Sequence, residues 1–218
     1  MFDLMQNQRD SAPPPESSEC AGALGGVREI ATIAIAPRFG EQWLNQHQIG
    51  YANLDQDDRD AIREFALLWQ IFEFQSLFGN DSVDALFDYV DEFAKEAEDE
   101  SRVLLTAPFI PHLAYFRDQF VDAERSSTNA AFEKLNIQQS EHRGLVSHAL
   151  IKLDDETPEL VKALLIIVHR LRDSLFRGLK WHESDKKRRD DLYHASKVLM
   201  KAFDVIGARS VAVRQEQR

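Results

Sequence analysis

An all-α protein, built as an up-and-down helical bundle behind a flexible N-terminal tail, is the fold this sequence predicts. Three observations point there. Apolar residues recur with a period near 3.6 over several long stretches. Glycine and proline are few, at 9 and 7 residues of 218, which leaves little punctuation for a many-stranded sheet. Thr157-Pro158-Glu159, after three acidic residues, is a strong helix start. It offers an N-cap hydroxyl, a proline at the first helical position and an acid in the first turn.

Taken in chain order, residues 1–28 contain Ser11-Ala12-Pro13-Pro14-Pro15-Glu16-Ser17-Ser18 and three glycines. They have little to bury, and read as a disordered or loosely docked tail. Residues 29–56 read as an extended arm and a short helix. The apolar, partly β-branched stretch Val27 to Ala36 is ended by Pro37, and the helix runs from Phe39 to Gln46. The bundle is assigned to residues 57–207, followed by a C-terminal tail at 208–218.

The first bundle helix spans Asp57 to Phe78 on a stripe of Ile62, Phe65, Trp69, Phe72 and Ser76, widened by Leu68. Gly79-Asn80 closes it. The second opens at Asn80 or Ser82 and runs to Glu98, with Val83, Leu86, Phe87, Val90 and Phe93 inward and Asp84, Asp88, Asp91 and Glu92 outward. Pro108 and Pro111 break the next segment, with a helix from Pro111 onward. Residues 129–153 read as one or two helices, with Gly144 a weak point. The Thr157 restart leads to a helix ending near Phe176. Ser184 or Asp185 opens the last helix, which reaches Ile206 on a stripe of Leu192, Ala195, Val198, Leu199 and Ala202. The core is expected from the helices at 57–78, 80–98, 158–176 and 185–206. Helical spacing assigns Trp69, Phe72, Phe74, Phe78, Phe87 and Tyr89 to it.

Composition narrows the function classes. No apolar run approaches the roughly 18–20 residues that span a bilayer, and the first residues lack the basic-then-apolar pattern of a signal peptide. One cysteine, Cys20, rules out an internal disulfide framework and a finger-type zinc site within one chain. These features point to the cytoplasm and no membrane. No cofactor is expected, since a glycine-rich phosphate loop and a nucleophile–His–acid set are both missing. No metal is expected either, because Asp84, Asp88, Asp91 and Glu92 run along a solvated face.

The net charge of −11 argues at first against nucleic acid, but the charge is unevenly placed. Residues 1–160 hold 12 Lys+Arg against 30 Asp+Glu, whereas residues 161–218 hold 14 against 7. The basic end could attract a polyanion; equally, the acidic majority could pack against it within the fold.

The sharpest feature lies at that basic end. The apolar run Ala163 to Val168 leads straight into His169-Arg170-Leu171-Arg172-Asp173, with Arg177, Lys180 and Trp181 following. Such arginines can cradle a phosphate with a planar fork of donors that stays charged. Arg170, Lys180 and the run Lys186-Lys187-Arg188-Arg189 could track a nucleic-acid backbone, and Trp181 could stack on a base. A solvated surface is the plainer reading of the basic run, although it sits at the positive end of a helix dipole. Arg172 and Arg177 lie about 140° apart round an ideal helix. They converge only if the helix bends or ends near Gly178, or if two chains face each other. Glu73, set in an aromatic stretch, could pair with Arg172 or Arg170 as catalytic support or as a structural ion pair.

The run Arg172-Asp173-Ser174-Leu175-Phe176-Arg177-Gly178-Leu179-Lys180 resembles the signature of the HEPN superfamily, prokaryotic helical proteins that include RNases of toxin–antitoxin and antiviral systems. There an arginine and a polar neighbour are followed, a few residues on, by a histidine. Trp69 to Phe78 is similar to an early helix of that family carrying a buried Glu. The resemblance implies a HEPN-like bundle, RNA as ligand, an antitoxin or other protein partner, and a homodimer with two motifs in one cleft. It makes Arg172, Asp173 and Arg177 the motif residues. The histidine position, however, is Arg177. Cleavage by attack of the RNA 2′-OH needs a base and an acid with pKa near the working pH. Arginine, with a pKa above about 12, supplies neither. A degenerate protein that binds RNA or a protein partner is therefore the first expectation. The alternatives are an active metal-independent RNase with a relocated histidine, His169 or His182 (His194 lies further off, on the last helix), and a structural interaction module.

Overall fold

The computed structural model describes residues 39–48, 50–96, 106–152, 158–177 and 186–207, all within the unit that runs from Arg38 to Arg218. The tail at 1–28, the arm from Val27 to Ala36, the Thr157 cap and the C-terminal tail at 208–218 lie outside the described residues. Among the described residues the fold is an all-α helical bundle with one minimal hairpin: α1 (Phe39–His47), α2 (Gln56–Ser76), α3 (Val83–Glu96), α4 (Ile110–Phe120), β1 (Val121–Asp122), β2 (Ser127–Thr128), α5 (Ala130–Glu133), α6 (Ser140–Ile151), α7 (Pro158–Phe176) and α8 (Lys186–Ala202), the last continued by a π-turn at Phe203–Gly207. No described helix is long and apolar enough to cross a membrane.

The centre of the bundle is α7. From Leu160 to His169 every residue is buried, as expected of a helix apolar all round its circumference. It packs against α3, α6 and α8, with a smaller contact to α4. The single charge in this stretch, Lys162, is answered at once. Its Nζ lies 2.6 Å from Asp91 Oδ1 and over the ring of Phe87, so one of the four outward acids of α3 serves the core instead of solvent.

Packing partners do not follow chain order. The main partner of α2 is α8, and the two are joined at their N-terminal ends. Asp55 caps α2 by accepting from the Asp58 amide at 2.7 Å, which, with Arg189, holds its carboxyl below the usual range. Arg189 of α8 then reaches three acids of that first turn: Asp55 at 2.8 Å, Asp57 at 3.0 Å and the buried Asp58 at 3.2 Å. A basic residue at the start of α8 opposes its own helix dipole. Here it meets the acids that belong at the start of α2.

The segment between α3 and α7 contributes more core than its sequence suggests. Phe109, Leu113, Phe116, Phe120, Phe132, Val146 and Leu150 are buried, so the core is not confined to the four helices expected. Pro111 sits within the first turn of α4, where a proline is tolerated. Gly144 lies inside α6 with open space around it, and does not break it. The break falls earlier, where Asn136 takes a left-handed backbone (φ 53°). Asn129 starts α5 by accepting from the amides of Ala131 and Phe132.

Between α4 and α8, His112 Nδ1 and His194 Nδ1 lie 3.0 Å apart. Tyr115 stacks on His194 at 3.8 Å and donates to Asp191 Oδ1. Burial, with His194, Lys201 and Lys197 nearby, holds His112 down to about 4. Burial also lowers His194 against the pull of Asp190. Both imidazoles are thus neutral in the folded chain at a pH where unfolded histidines, with a pKa near about 6.5, take up protons. Stability from this pair is complete above about pH 6.5 and is lost as pH falls toward about 4. Thermal melts taken from about pH 7 down to about pH 5 should show a falling Tm, and His112→Gln should flatten that fall.

Candidate functional site

Two turns at the end of α7 leave the core with the charged residues that its buried part cannot hold. They meet the outer half of α2 and the turn between α2 and α3. On α2, Trp69 and Glu73 stand one turn apart, and the indole Nε1–H donates to Glu73 Oε2 at 2.8 Å. In the turn, Phe78 and Gly79 both take positive φ (54° and 78°). Gly79 and Leu77 donate to the Glu73 carbonyl, closing α2, and Ser82 Oγ accepts from Ala85 to open α3. This places Asp81 directly against α7.

Arg172 is the most fully engaged residue. Its Nη1 lies 3.0 Å from Asp81 Oδ2 and 3.1 Å from Asp173 Oδ1, and its Nη2 lies 3.6 Å from Glu73 Oε2. The guanidinium also sits 5.4 Å from the ring centres of both Trp69 and Phe176, within cation–π range. Asp173 is the shared acceptor. Besides Arg172 it accepts from Arg170 Nη1 at 3.1 Å and pairs with Arg177 Nη2 at 3.6 Å; His169 Nδ1 stands 4.0 Å away and makes no hydrogen bond to it. Arg177 is held loosely, since its side chain is 61% exposed.

An open cleft of about 470 Å³ lies over this group, lined by Asp81, His169, Arg172, Asp173, Phe176 and Arg177. Arg172 and Arg177 therefore reach one cleft within a single chain. The helix ends at Phe176, and Asp173, beside one arginine and a turn before the other, draws both guanidinium groups toward itself.

His169 is almost wholly buried. It packs edge-on against Trp69, and its Nε2 lies 2.8 Å from the backbone carbonyl of Asp81. A carbonyl only accepts, so Nε2 carries the proton. The neutral ring then bears its lone pair on Nδ1, which is buried without a hydrogen-bond partner among the described residues. Burial lowers the His169 pKa, overcoming the Asp173 carboxylate and the Asp81 carbonyl, which raise it. His169 and Arg172 together grip Asp81 by its backbone and its side chain.

Electrostatically the cluster balances: among the described residues Arg170, Arg172 and Arg177 face Glu73, Asp81 and Asp173. It lacks the unpaired excess of positive charge that draws polyanions from a distance. The basic run at the start of α8 is engaged in part, although Lys187 is exposed. Arg189 is held by the three acids of α2, and Lys187 and Arg188 have partners of their own. Lys186 is exposed. Lys180, Trp181 and His182 lie outside the described residues, and His194 pairs with His112 on another face of the bundle.

Asp81 and Phe176 were not among the expected site residues. Asp81 sits in a turn 91 positions before Arg172 in sequence, where periodicity carries no signal. Phe74 and Phe78, assigned to the core by spacing, are instead largely exposed. A scan against protein-family models and searches among curated proteins and solved structures find no match to this chain.

The geometry separates the two motif arginines by stability. Arg172→Ala leaves Glu73 and Asp173, both largely buried, short of a counter-charge, and should cost about 1–3 kcal/mol. Arg177→Ala, at an exposed rim, should stay within about 0.5 kcal/mol of the parent. Urea unfolding midpoints of the two variants check the contrast.

Proposed function

We propose that this chain is a degenerate HEPN-like protein that binds RNA at the Arg172–Arg177 cleft without strong cleavage, in a toxin–antitoxin or defence setting. The observation that carries the reading is Arg177. It stands exposed at the rim of an open cleft, at the position where the resembled motif has a histidine, and among the described residues its side chain is restrained by a 3.6 Å contact to Asp173. A phosphate can exchange for that carboxylate with little loss, because arginine offers the same fork of donors to both. Arg172 supplies the floor of the cleft. Its Nε–H is buried and unpartnered among the described residues, while its outer nitrogens are fixed by carboxylates. Since both arginines meet in one chain, the reading does not require a second copy.

A balanced cluster implies few phosphate contacts and modest affinity. With two contacts, log K should fall against log salt with a slope of about −1.4 for a single strand, at about −0.7 per phosphate. Fluorescence anisotropy with a single-stranded RNA tests this. Arg177→Ala should reduce the slope by about 0.7, and the chain should leave the RNA uncut in EDTA. A slope indifferent to Arg177, or cleavage by the parent that Arg172→Ala abolishes, would overturn the reading.

A second reading, an active metal-independent RNase, draws support from His169. Its tautomer, set by the Asp81 carbonyl, leaves Nδ1 as a lone pair beside Arg172 and Asp173, and its lowered pKa keeps that lone pair free at neutral pH. Cleavage that is lost in His169→Asn, with the thermal melt intact, would select this reading over the first.

A further inference from the structure

Helix α2 has two apolar faces, and among the described residues the fold uses one. Phe65, Trp69 and Phe72 are in the core. Leu67, Ile71 and Phe74 lie on the opposite side, 61%, 37% and 74% exposed, and Phe78 beyond the helix end is 83% exposed. Within the helix, the spacing of four and three residues from Leu67 through Ile71 to Phe74 is that of the a and d positions of a coiled-coil seam. It forms a narrow stripe, not scattered surface residues. Phe78 adds an independent sign. It holds a left-handed backbone, φ 54°, which costs a bulky residue about 1 kcal/mol or more that glycine would not incur. The turn thus keeps a strained aromatic pointing outward at the end of the stripe.

Charge decides what can sit there. One heptad before Leu67 and Ile71, the same seam positions hold Asp60 and Glu64, both exposed. Asp60 shares Arg63 with Glu41, and Glu64 has no ion-pair partner among the described residues, so this end of the seam is net negative. A second copy aligned in parallel would set Asp60 against Asp60 and Glu64 against Glu64. Aligned antiparallel, it would bring Glu64 toward the Asp81 end. The parallel arrangement places like charges in the seam, which disfavours pairing; in the antiparallel one Glu64 meets an Asp81 already paired with Arg172, so it gains no counter-charge.

We propose that this face of α2 docks an amphipathic helix of a different protein. That helix would offer an apolar a/d seam to Leu67, Ile71, Phe74 and Phe78, and lysine or arginine to Asp60 and Glu64. The surface is distinct from the cleft, and the proposal stands whether or not the cleft binds RNA.

The test uses the full chain and two synthetic helical peptides. Both carry leucine at the a and d positions of two heptads; one has a flanking heptad rich in lysine, the other a flanking heptad rich in glutamate. Fluorescence anisotropy should show that the lysine peptide binds and the glutamate peptide binds at least about tenfold more weakly. Phe74→Asp and Phe78→Asp should each weaken the lysine peptide by about tenfold or more, and Tyr193→Asp, on another exposed ring, should not. These variants make the chain more acidic, so general attraction of a basic peptide would be kept or strengthened in them. Binding that survives Phe74→Asp, or equal binding of the two peptides, overturns the proposal. So does a concentration-dependent dimer in sedimentation that Phe74→Asp dissolves, since the stripe then belongs to a second copy.

Discussion

A helix buried on every side has no face on which to carry charge, and α7 is such a helix from Leu160 to His169. Its sequence resolves the constraint by admitting one paired cation, Lys162, and gathering its other cations beyond the core, in the last two turns. There the arginines cannot be left merely solvated, because the chain brings α2 and the α2–α3 turn over them. Asp173 answers three of them at once, and Glu73 and Asp81 complete the balance. The cleft is the open side of this compensated helix end. Its floor is continuous with the core beneath it, since Trp69 is at once a core residue and the platform under Arg172.

The same compensation runs through the molecule and changes what its charge asymmetry means. The basic C-terminal region meets the acidic remainder inside the fold: Arg189 meets Asp55, Asp57 and Asp58, and Lys162 meets Asp91. Two local surfaces among the described residues stand out against this compensation. Arg177 is the exposed cation of the cleft, and the outer stripe of α2 is the apolar surface. These are different kinds of surface, one cationic and partly paired, the other apolar.

Much of the fold is legible in the sequence wherever one periodicity dominates. The stripe of α8 from Leu192 to Ala202 is buried residue for residue, and α7 starts at the proline that marks it. The middle of the chain is less legible: Pro111 marks a helix start that the structure keeps, but Gly144 reads as a weak point although α6 runs through it in open space. In α2 the period is right but the face is ambiguous: two apolar stripes share one helix, and sequence alone does not say which the core will take. The site divides in the same way. Arg172, Asp173 and Arg177 are neighbours in sequence and can be read as a cluster, and Glu73 stands out as a charge among aromatics. Asp81 reaches the cluster through the turn set by Phe78 and Gly79, a long-range contact that no spacing announces.

The measurement closest to the centre of this picture is a double-mutant cycle between Arg172→Met and Asp173→Asn, read from urea unfolding. If the end of α7 is held by mutual compensation, the two changes should couple by about 1 kcal/mol or more, with the double variant more stable than the sum of the single losses implies. Losses that add to within about 0.3 kcal/mol would mean that Asp173 does not organise the arginines, and that the cleft owes its shape to packing alone.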